Sequence, residues 1–301
     1  MTDTFKITLC PPNLRREALL HLAKAQSPDG QKALTKALKP MLGGPETAWQ
    51  SLWVSQVDGH INGVIWVQRL PLNMAQLWLP NVEGDHINAL IETARQWVVA
   101  QRLTLCHIEL SPDATHQRAQ LLGHGMQPLV SLRCLKATVN QRFPTTASDT
   151  RLRWVPWDQL SPAQQHALLT AVGHGSLDCR LLRDILSVDD LSAGFYQQDT
   201  SAPAHWYALY VAESPSPIGA LLLAPRREIN RWELMLMGLV PKWRGHGLGG
   251  HILNHALALA QQAGASELLL SVDHENHPAV NLYTRTGFSE YAQQHVLAWR
   301  G

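Results

Sequence analysis

The sequence predicts an α+β protein of two tandem domains with similar architecture, each a mixed, mostly antiparallel sheet flanked by helices. Three observations support this prediction. The chain has 301 residues, more than the ~100–200 residues of a typical domain. The polar segment 140–150 contains a proline, shows neither helical nor strand periodicity, and is expected to be a linker. The segments on its two sides repeat one order of elements, so we expect domains at 1–143 and 150–301.

In the first half, short apolar runs predict strands, and apolar residues at helical spacing predict helices. Asp58-Gly59 is a hairpin turn signal between two of the strands. The predicted strands cover 51–57, 61–68, 75–79, 103–110 and 129–139, and the predicted helices cover 86–100 and 116–122. The strand 129–139 is expected to close the sheet of this half.

The second half predicts the same kinds of element in a similar order. Its predicted strands cover 152–155, 206–211, 218–223, 234–240, 268–272 and 295–299, and its predicted helices cover 162–172, 180–186 and 279–286. A further helix begins after the turn 244–250 and ends at Gly264, a residue type common at helix C-termini. Because antiparallel runs precede strands that are joined through helices, each sheet should be mixed rather than purely parallel.

Composition limits the classes of partner. Lys and Arg number 25 against 24 Asp and Glu, a formal charge of +1, which lacks the basic excess expected for nucleic acid or anionic lipid. No run of 18 apolar residues predicts a membrane span, and the first ten residues do not resemble a secretory signal. The four widely spaced cysteines predict reduced core thiols in a cytoplasmic protein, and the 15 histidines form no metal-binding motif.

The strongest chemical signal is the glycine-rich segment 244–250, between the strand 234–240 and an amphipathic helix. Glycines allow the backbone to direct N–H groups toward one point at a helix N-terminus, where the helix dipole also favours an anion. A pyrophosphate would fit there. No Gly-Lys-Ser/Thr ends the segment, so it is not a Walker loop, and we do not assign it to the dinucleotide-binding pattern either. A purely structural glycine turn stays the alternative.

Two segments resemble motifs of the GNAT N-acetyltransferases. Arg244-Gly245-His246-Gly247-Leu248-Gly249 resembles the acyl-CoA signature Q/R-x-x-G-x-G/A of this family, and residues 276–288 resemble N-x-x-A-x-x-L-Y-x-x-x-G-F. The two occur in the family's order with one strand between them. The resemblance is strong over 206–288 and only architectural over 1–139. It implies a GNAT fold, acetyl-CoA as cosubstrate, and transfer of its acetyl group to a primary amine of a small molecule or peptide.

The resemblance also implies a CoA site. The family fold has a strand that splays from its neighbour, so that the pantetheine arm would pair with the backbone of Gly238, Leu239 and Val240. The pyrophosphate would be held by the segment that comprises Arg244, Gly245, His246, Gly247, Leu248, Gly249 and Gly250. Asn276 would bind the pantetheine arm or, alternatively, cap a helix, and for His246 a solvent-facing position is the alternative to phosphate contact.

Amine acylation by a thioester requires a neutral amine, a polarised carbonyl and a protonated leaving thiolate. Tyr283 stands where the family often has a tyrosine general acid, and a phenol with a pKa near ~10 can protonate a thiolate of comparable basicity; its alternative role is packing. The N–H near Leu239 would polarise the carbonyl. Glu233, eleven residues before Arg244, is the candidate base or else a solvated edge residue. Asp178 would bind a cationic amine or cap a helix.

The first half departs from the family pattern at the positions that chemistry needs. After its third strand, Glu83 and Asp85 occupy the place of the glycine turn, and their charge would repel CoA. Its last helix, near 116–122, has no tyrosine. We therefore expect a degenerate N-terminal GNAT-like domain, a catalytic C-terminal one, and a monomer or homodimer. A longer-chain acyltransferase and a non-catalytic acyl-CoA sensor or scaffold are the alternatives.

Overall fold

The structure is a computed structural model that describes residues 5–80, 83–139, 152–198, 201–212 and 214–301. The expected linker 140–150 lies outside the described residues, so the linker and the domain limits 1–143 and 150–301 stay predictions. The chain separates into two compact units. Unit 1 comprises residues 1–129 and 295–301, and unit 2 comprises residues 130–294.

The described elements are numbered in chain order. The strands are β1 (Lys6–Leu9), β2 (Leu52–Val57), β3 (His60–Leu70), β4 (Met74–Trp78), β5 (Leu105–Leu110), β6 (Gln127–Thr138), β7 (Leu152–Pro156), β8 (Trp206–Val211), β9 (Gly219–Arg226), β10 (Arg231–Leu239), β11 (Glu267–Asp273) and β12 (Ser289–Arg300). The α-helices are α1 (Arg15–Lys24), α2 (Pro28–Leu38), α3 (Asp85–Ala100), α4 (Thr115–Gly123), α5 (Pro162–Gly173), α6 (Arg180–Ile185), α7 (Val188–Gln198), α8 (Leu248–Gln262) and α9 (His277–Arg285).

Unit 1 contains a sheet in the order β1-β2-β3-β4-β5-β12, with residues 295–300 of β12 at its edge. Neighbouring strands are antiparallel except β4 and β5, which are parallel. Apolar side chains cover both faces of the sheet. Helix α3 contributes Ile87 and Leu90 to one core, and α1 and α2 contribute Leu22 and Leu34 to the other.

Unit 2 repeats this arrangement. Its sheet has the order β7-β8-β9-β10-β11-β6, and again one neighbouring pair, β10 and β11, is parallel. Helix α8 contributes Ile252 and Ala256 to the core on one face, and α5 contributes Leu168 and Leu169 to the core on the other. The α+β class with mixed, mostly antiparallel sheets flanked by helices is therefore confirmed.

The last strand of each sheet comes from the other half of the sequence. Residues 132–138 of β6 pair with β11 in unit 2, and residues 295–300 of β12 pair with β5 in unit 1. The expectation that the strand 129–139 closes the sheet of the first half is therefore wrong. An ion pair between Lys136 and Glu267, with Nζ and Oε1 2.9 Å apart, joins β6 to β11. Strand propensity is the same for either partner, so local patterns do not reveal this exchange.

Other features agree with the composition or add to the predicted elements. Three of the four cysteines are buried, Cys179 is partly buried, and all four are free thiols, as expected. Among the described residues, none of the helices has the length and apolar character needed to cross a membrane. The structure adds one strand, β1, and three helices, α1, α2 and α7, which the sequence patterns did not predict.

Candidate active site

Strands β10 and β11 separate soon after they begin. Their parallel register covers three residue pairs and ends at Glu233 and Leu269, whereas β10 continues to Leu239 and β11 to Asp273. Beyond this point β10 is paired on its other edge with β9, with a β-bulge between Leu234 and Leu236. The edge of β10 that faces β11 is therefore open, as expected for the splayed strand.

The alternation of peptide groups along β10 decides which of them face the gap. The N–H of Val240 donates to the carbonyl of Ile218 across the β9 pair, with 2.9 Å between the atoms. The groups of Leu239 therefore point to the opposite, open edge. Of the three residues expected to pair with pantetheine, Leu239 alone presents its N–H there, and its carbonyl already accepts from Arg244 Nε at 2.9 Å. At Gly238 a Cβ would come within 2.2 Å of Val172 Cγ1, so the close approach of α5 requires a glycine.

The turn after β10 presents a row of unused backbone donors. Gly245 and Gly247 have φ of +78° and +76°, the left-handed conformation that favours glycine. The N–H groups of residues 245–250 have no hydrogen-bond acceptor in the described part of the chain, and no side chain caps α8. Leu248 is buried in the core, so it contributes only backbone. A Cβ at Gly250 would meet nothing within 4 Å, so an anion can approach these donors.

Residues 245–250 do satisfy the spacing Gly-x-Gly-x-x-Gly, and Asp273 follows at the end of β11, so spacing alone does not exclude a dinucleotide loop. The turn does lie inside a parallel unit of β10, α8 and β11, but the rest of the sheet differs from a dinucleotide-binding sheet, which is mostly parallel, because β10 runs antiparallel to β9. The Asp273 carboxylate is also engaged, accepting from the N–H groups of Cys179 and Glu275 at 3.1 and 3.0 Å.

The side chain of Arg244 binds protein backbone. Besides Leu239, it donates to the carbonyls of Val172 and Gly175 at 2.8 and 3.0 Å. Burial, and then the neighbouring Arg183 charge, lower the pKa of Arg244. The guanidinium therefore fixes the turn against the end of α5, and the expected role of Arg244 in CoA binding stays a prediction.

Arg183 reinforces the same region, and sequence reasoning missed it. Its guanidinium donates to the carbonyls of Gly173 and Ser176, at 2.7 and 2.5 Å. Together with Arg244 it satisfies four backbone carbonyls at the end of α5 and in the segment that follows. An arginine shortly after a glycine-containing helix end was the available signal.

The ring of Tyr283 is buried beside Phe288, with 5.8 Å between the ring centroids and 7% of the residue exposed. Its hydroxyl has no hydrogen-bond partner among the described residues. Burial, and then the neighbouring Asp178 carboxylate, raise the pKa of Tyr283 well above its usual value. The expected match to a thiol pKa is not met, but the phenol stays protonated and its O–H stays available to donate.

The carboxylates of Asp178 and Asp273 accept hydrogen bonds from backbone N–H groups at or next to each other's position. The N–H of Asp273 donates to Asp178 Oδ1 at 2.9 Å, and the N–H of Cys179 donates to Asp273 Oδ2. Burial raises the pKa of Asp178. Cys179, not Asp178, precedes α6, and no side chain caps that helix, so the capping alternative for Asp178 is wrong. Asn276 Oδ1 accepts from the N–H of Ala279 at 3.4 Å, the capping geometry that was one of its two alternatives.

Two further predicted residues have protein partners. Glu233 accepts a hydrogen bond from Arg226 Nε at 2.8 Å and forms an ion pair with the same guanidinium. His246 is exposed, and its Nδ1 lies 2.9 Å from the carbonyl oxygen of Arg244. Within the described residues, no three His, Cys, Asp or Glu side chains come together as a potential metal site.

An open strand edge, followed by a turn of free N–H groups and a helix, is the arrangement that the sequence motifs predicted for this segment. Residues 179–288 match the Acetyltransferase (GNAT) family. The chain thus carries a GNAT-family acetyltransferase domain, and the predicted family is confirmed. A mycothiol acetyltransferase of Corynebacterium aurimucosum is 32% identical over 114 residues, which cover 38% of this chain and 33% of that protein. A streptothricin acetyltransferase of Streptomyces lavendulae is 39% identical over 51 residues, 17% of this chain and 27% of that protein.

Solved structures resemble the fold over the whole chain. A GCN5-related N-acetyltransferase from Sphaerobacter thermophilus has a TM-score of 0.69 at 14% identity, with 100% of this chain and 96% of that chain covered. A tandem GNAT protein from the clavulanic acid biosynthesis pathway has a TM-score of 0.56 at 13% identity, with coverage of 99% and 98%. These identities support the fold alone, and the chain spans a third or less of the length of the curated relatives it matches.

Proposed function

We propose that unit 2 transfers the acetyl group of acetyl-CoA to a primary amine by direct attack within a ternary complex. The observation that carries this proposal is the row of unpaired N–H groups at 245–250, beside the open edge of β10. Such donors at a helix N-terminus suit the pyrophosphate of CoA. The free N–H of Leu239 would hydrogen-bond next to the thioester arm.

In this proposal the amine nitrogen forms a bond to the thioester carbonyl carbon, and the carbon–sulfur bond breaks. The Leu239 N–H donates to the carbonyl oxygen as negative charge develops there. The Tyr283 O–H donates to the leaving sulfur, so CoA leaves as a thiol, and the proton that the nitrogen loses as the amide forms restores the Tyr283 hydroxyl. The amine, which reaches the site as an ammonium, must first give a proton to a base.

Two carboxylates are candidates for that base. Glu233 would have to leave Arg226 in order to accept a proton. Asp178 lies close enough to Tyr283 to shift its pKa, and burial raises the pKa of Asp178 itself toward the range of a useful base. Asp178 also carries the charge that attracts an ammonium, so we place the acceptor amine beside it and keep Glu233 as the alternative.

The acceptor is proposed to be a small molecule or a peptide N-terminus. The names of the relatives, mycothiol acetyltransferase and streptothricin acetyltransferase, favour a small molecule. The test is a screen of polyamines, amino acids, aminoglycosides and peptides with acetyl-CoA, with thiol release as the measurement. Thiol release that depends on one amine class supports the proposal. If the chain binds CoA but releases no thiol with any acceptor or any acyl chain length, the non-catalytic sensor is the better description.

A further inference from the structure

Asp273, the last residue of β11, is a carboxylate that the fold keeps nearly buried, with 9% of the residue exposed. Its side chain accepts two backbone hydrogen bonds. Oδ2 accepts from the N–H of Cys179 at 3.1 Å, and Oδ1 accepts from the N–H of Glu275 at 3.0 Å. Because burial of a charge costs free energy that an apolar side chain would not incur, packing does not account for a carboxylate at this position.

The equivalent turn of unit 1 forms without this carboxylate. Before α4, the N–H of Ala114 donates to the carbonyl of Ser111 at 3.0 Å. Before α9, the N–H of Asn276 donates to the carbonyl of Asp273 at 2.9 Å. Ser111 is thus the counterpart of Asp273, and its hydroxyl accepts from the backbone N–H two residues further on at 3.5 Å, as Asp273 does at 3.0 Å. A serine therefore suffices for the turn, and the contact that the carboxylate adds in unit 2 is the one with Cys179.

The contact with Cys179 holds a strained backbone in place. Cys179 has φ of +44° and ψ of +51°, a left-handed conformation that is costly for a residue other than glycine. Asp178 directly precedes it, so the bond from the N–H of Cys179 to Asp273 also fixes the position of Asp178. A second bond joins the same two segments, because the N–H of Asp273 donates to Asp178 Oδ1 at 2.9 Å.

The groups around Asp178 determine its affinity for protons. Burial is the main cause that raises the pKa of Asp178. The N–H of Asp273 lowers this pKa, and the negative charge of Asp273 raises it. The other groups that face the Asp178 carboxylate are Arg183 and Asn276, which lower its pKa, and Tyr283 and Cys179, which are neutral at pH 7 because their own pKa values are raised. Asp273 therefore supplies the like charge beside Asp178.

We propose that Asp273 is a positioning residue for the acetyl transfer of unit 2 and that it acts through Asp178. The carboxylate of Asp273 holds the segment that carries Asp178, and its charge makes Asp178 a stronger proton acceptor. This role rests on the proposed function, in which Asp178 takes a proton from the acceptor amine. Asp273 itself is engaged by backbone N–H groups and acts without contact to the reacting atoms.

The test is the pH profile of kcat/KM for the amine, measured at saturating acetyl-CoA. Asp273→Asn keeps the size of the side chain and one acceptor oxygen but removes the charge. The pKa of Asp178 should then fall, so the acidic limb of the profile should move to lower pH by about half a pH unit or more. Glu275→Gln is the matched control, since it removes an exposed carboxylate from the same turn. Its acidic limb should stay within about 0.2 pH unit of the wild-type limb.

A second pair of variants tests the positional role. Asp273→Ser gives unit 2 the residue that unit 1 has, so the turn should fold while the bond to Cys179 is lost. We expect kcat to fall about tenfold, with the KM for acetyl-CoA within about twofold of wild type. Addition of Cys179→Gly should recover part of kcat, because glycine adopts the left-handed conformation without an anchor.

An acidic limb that is unchanged in Asp273→Asn, or that moves equally in Glu275→Gln, would overturn the inference. If Asp273→Asn lowers Tm strongly, Asn276→Asp tests the same effect with the opposite sign. It keeps a helix-capping side chain and adds a charge beside Asp178, so the limb should move to higher pH. An unchanged limb in this variant would equally contradict the proposal.

Asp178→Asn distinguishes failure of this inference from failure of the proposed function. If the acidic limb persists in Asp178→Asn, Asp178 is not the base and the proposed function fails at that step. If the limb disappears there but Asp273→Asn matches wild type, only the role of Asp273 fails. Without any turnover, the ¹³C chemical shift of the Asp178 carboxyl, followed with pH in wild type and Asp273→Asn, gives the same comparison. Equal titration midpoints would then overturn the inference.

Discussion

Units 1 and 2 share a topology but differ in the residues that chemistry needs. In each, one parallel strand pair is in register over three residues, β4 with β5 and β10 with β11. After β10 comes a turn with free N–H groups. Two acidic residues follow β4 instead. Glu83 Oε1 lies 3.3 Å from His116 Nδ1, and Asp85 begins α3. The framework is therefore the same, and among the described residues the glycine-rich turn with free N–H groups belongs to unit 2.

The last helix of each unit, α4 in unit 1 and α9 in unit 2, can be compared residue by residue. Helices α4 and α9 have nine residues each. In α4 the carbonyl of Leu121 accepts from the N–H of Met126 at 3.0 Å, and in α9 the carbonyl of Tyr283 accepts from Phe288 at 3.0 Å. Leu121 and Tyr283 are thus equivalent and both buried. Packing needs an apolar side chain at this position, and only the phenol adds a proton donor.

The largest expected effect tests that equivalence. Tyr283→Phe keeps the buried ring and removes the O–H, so it makes the unit 2 helix resemble its unit 1 counterpart chemically. We expect kcat to fall about 10²–10⁴-fold with CoA affinity unchanged. Steady-state kinetics with the acceptor from the screen, together with CoA titration, would measure this. Wild-type kcat at every pH would reduce Tyr283 to a packing residue like Leu121.

The next effect concerns the turn. Gly250→Glu places a carboxylate beside the free N–H groups, as the turn in unit 1 has. A larger side chain fits at this position, because a Cβ at Gly250 would meet nothing within 4 Å. The φ at Gly250 is not in the left-handed region, so backbone strain is absent. We expect CoA affinity to fall about a hundredfold or more from charge repulsion and blocked donors. Calorimetry with CoA is the measurement.

Gly250→Gln is the matched control, since it has the same length without the charge and should lose clearly less affinity. Equal losses would show that bulk, not charge, matters. In unit 1, Glu83→Gln and Asp85→Asn should change CoA binding by no measurable amount, because that turn has the one glycine Gly84 where segment 245–250 has four. A second CoA site appearing in this variant would contradict the view that unit 1 is degenerate for structural reasons.

A smaller effect separates the two candidate bases. Asp178→Asn should lower kcat/KM about 10²-fold and move the acidic limb of its pH profile, since burial raises the pKa of Asp178. Glu233→Gln should change kcat/KM less than about threefold if Glu233 only pairs with Arg226. The pH profiles of both variants with the amine acceptor decide the assignment. The reverse result would return the base to Glu233.

Much of this contrast could be predicted from the sequence, because turns and helix starts have local signatures. The Asp58-Gly59 hairpin and the segment 244–250 lie where they were expected. Helix α7 had a signature that was overlooked: Ser187 and Asp190 each accept a hydrogen bond from the other's N–H at 3.1 Å, and this spacing typically begins a helix.

Other features depend on contacts distant in sequence. The exchange of β6 and β12 leaves no local trace, because a strand has the same alternation whichever strand it pairs with. The partners of Arg244 also follow from tertiary structure: Val172 lies 72 residues away. A motif indicates that an arginine is present, but the fold decides that it binds backbone carbonyls. The same applies to Glu233, whose partner Arg226 lies across a hairpin.

The smallest expected effect tests whether partly buried histidines make both units sensitive to acid. His255 of α8 stacks on Trp154 with 3.8 Å between ring centroids, and burial lowers the pKa of His255 from 6.5 to about 4. Burial also lowers the pKa of His107 in β5 of unit 1. Below pH 6.5 the unfolded chain binds protons that the folded histidines exclude. The contribution of His255 to stability is therefore complete above pH 6.5 and is lost as the pH falls toward 4, and that of His107 is also lost as the pH falls below 6.5.

Substitution of His255 distinguishes the acid sensitivity of unit 2 from that of unit 1. His255→Phe keeps a ring against Trp154 without a titratable group, so its Tm should fall less than that of the wild-type chain between pH 7.5 and 5. We expect a difference of roughly 2–4 °C, measured by differential scanning fluorimetry, with partial exposure of His255 keeping the effect small. His246→Asn, which removes an exposed histidine, should follow the wild-type curve. If His255→Phe also followed it, the acid sensitivity of the chain would lie elsewhere, and His107→Gln would show whether unit 1 carries it.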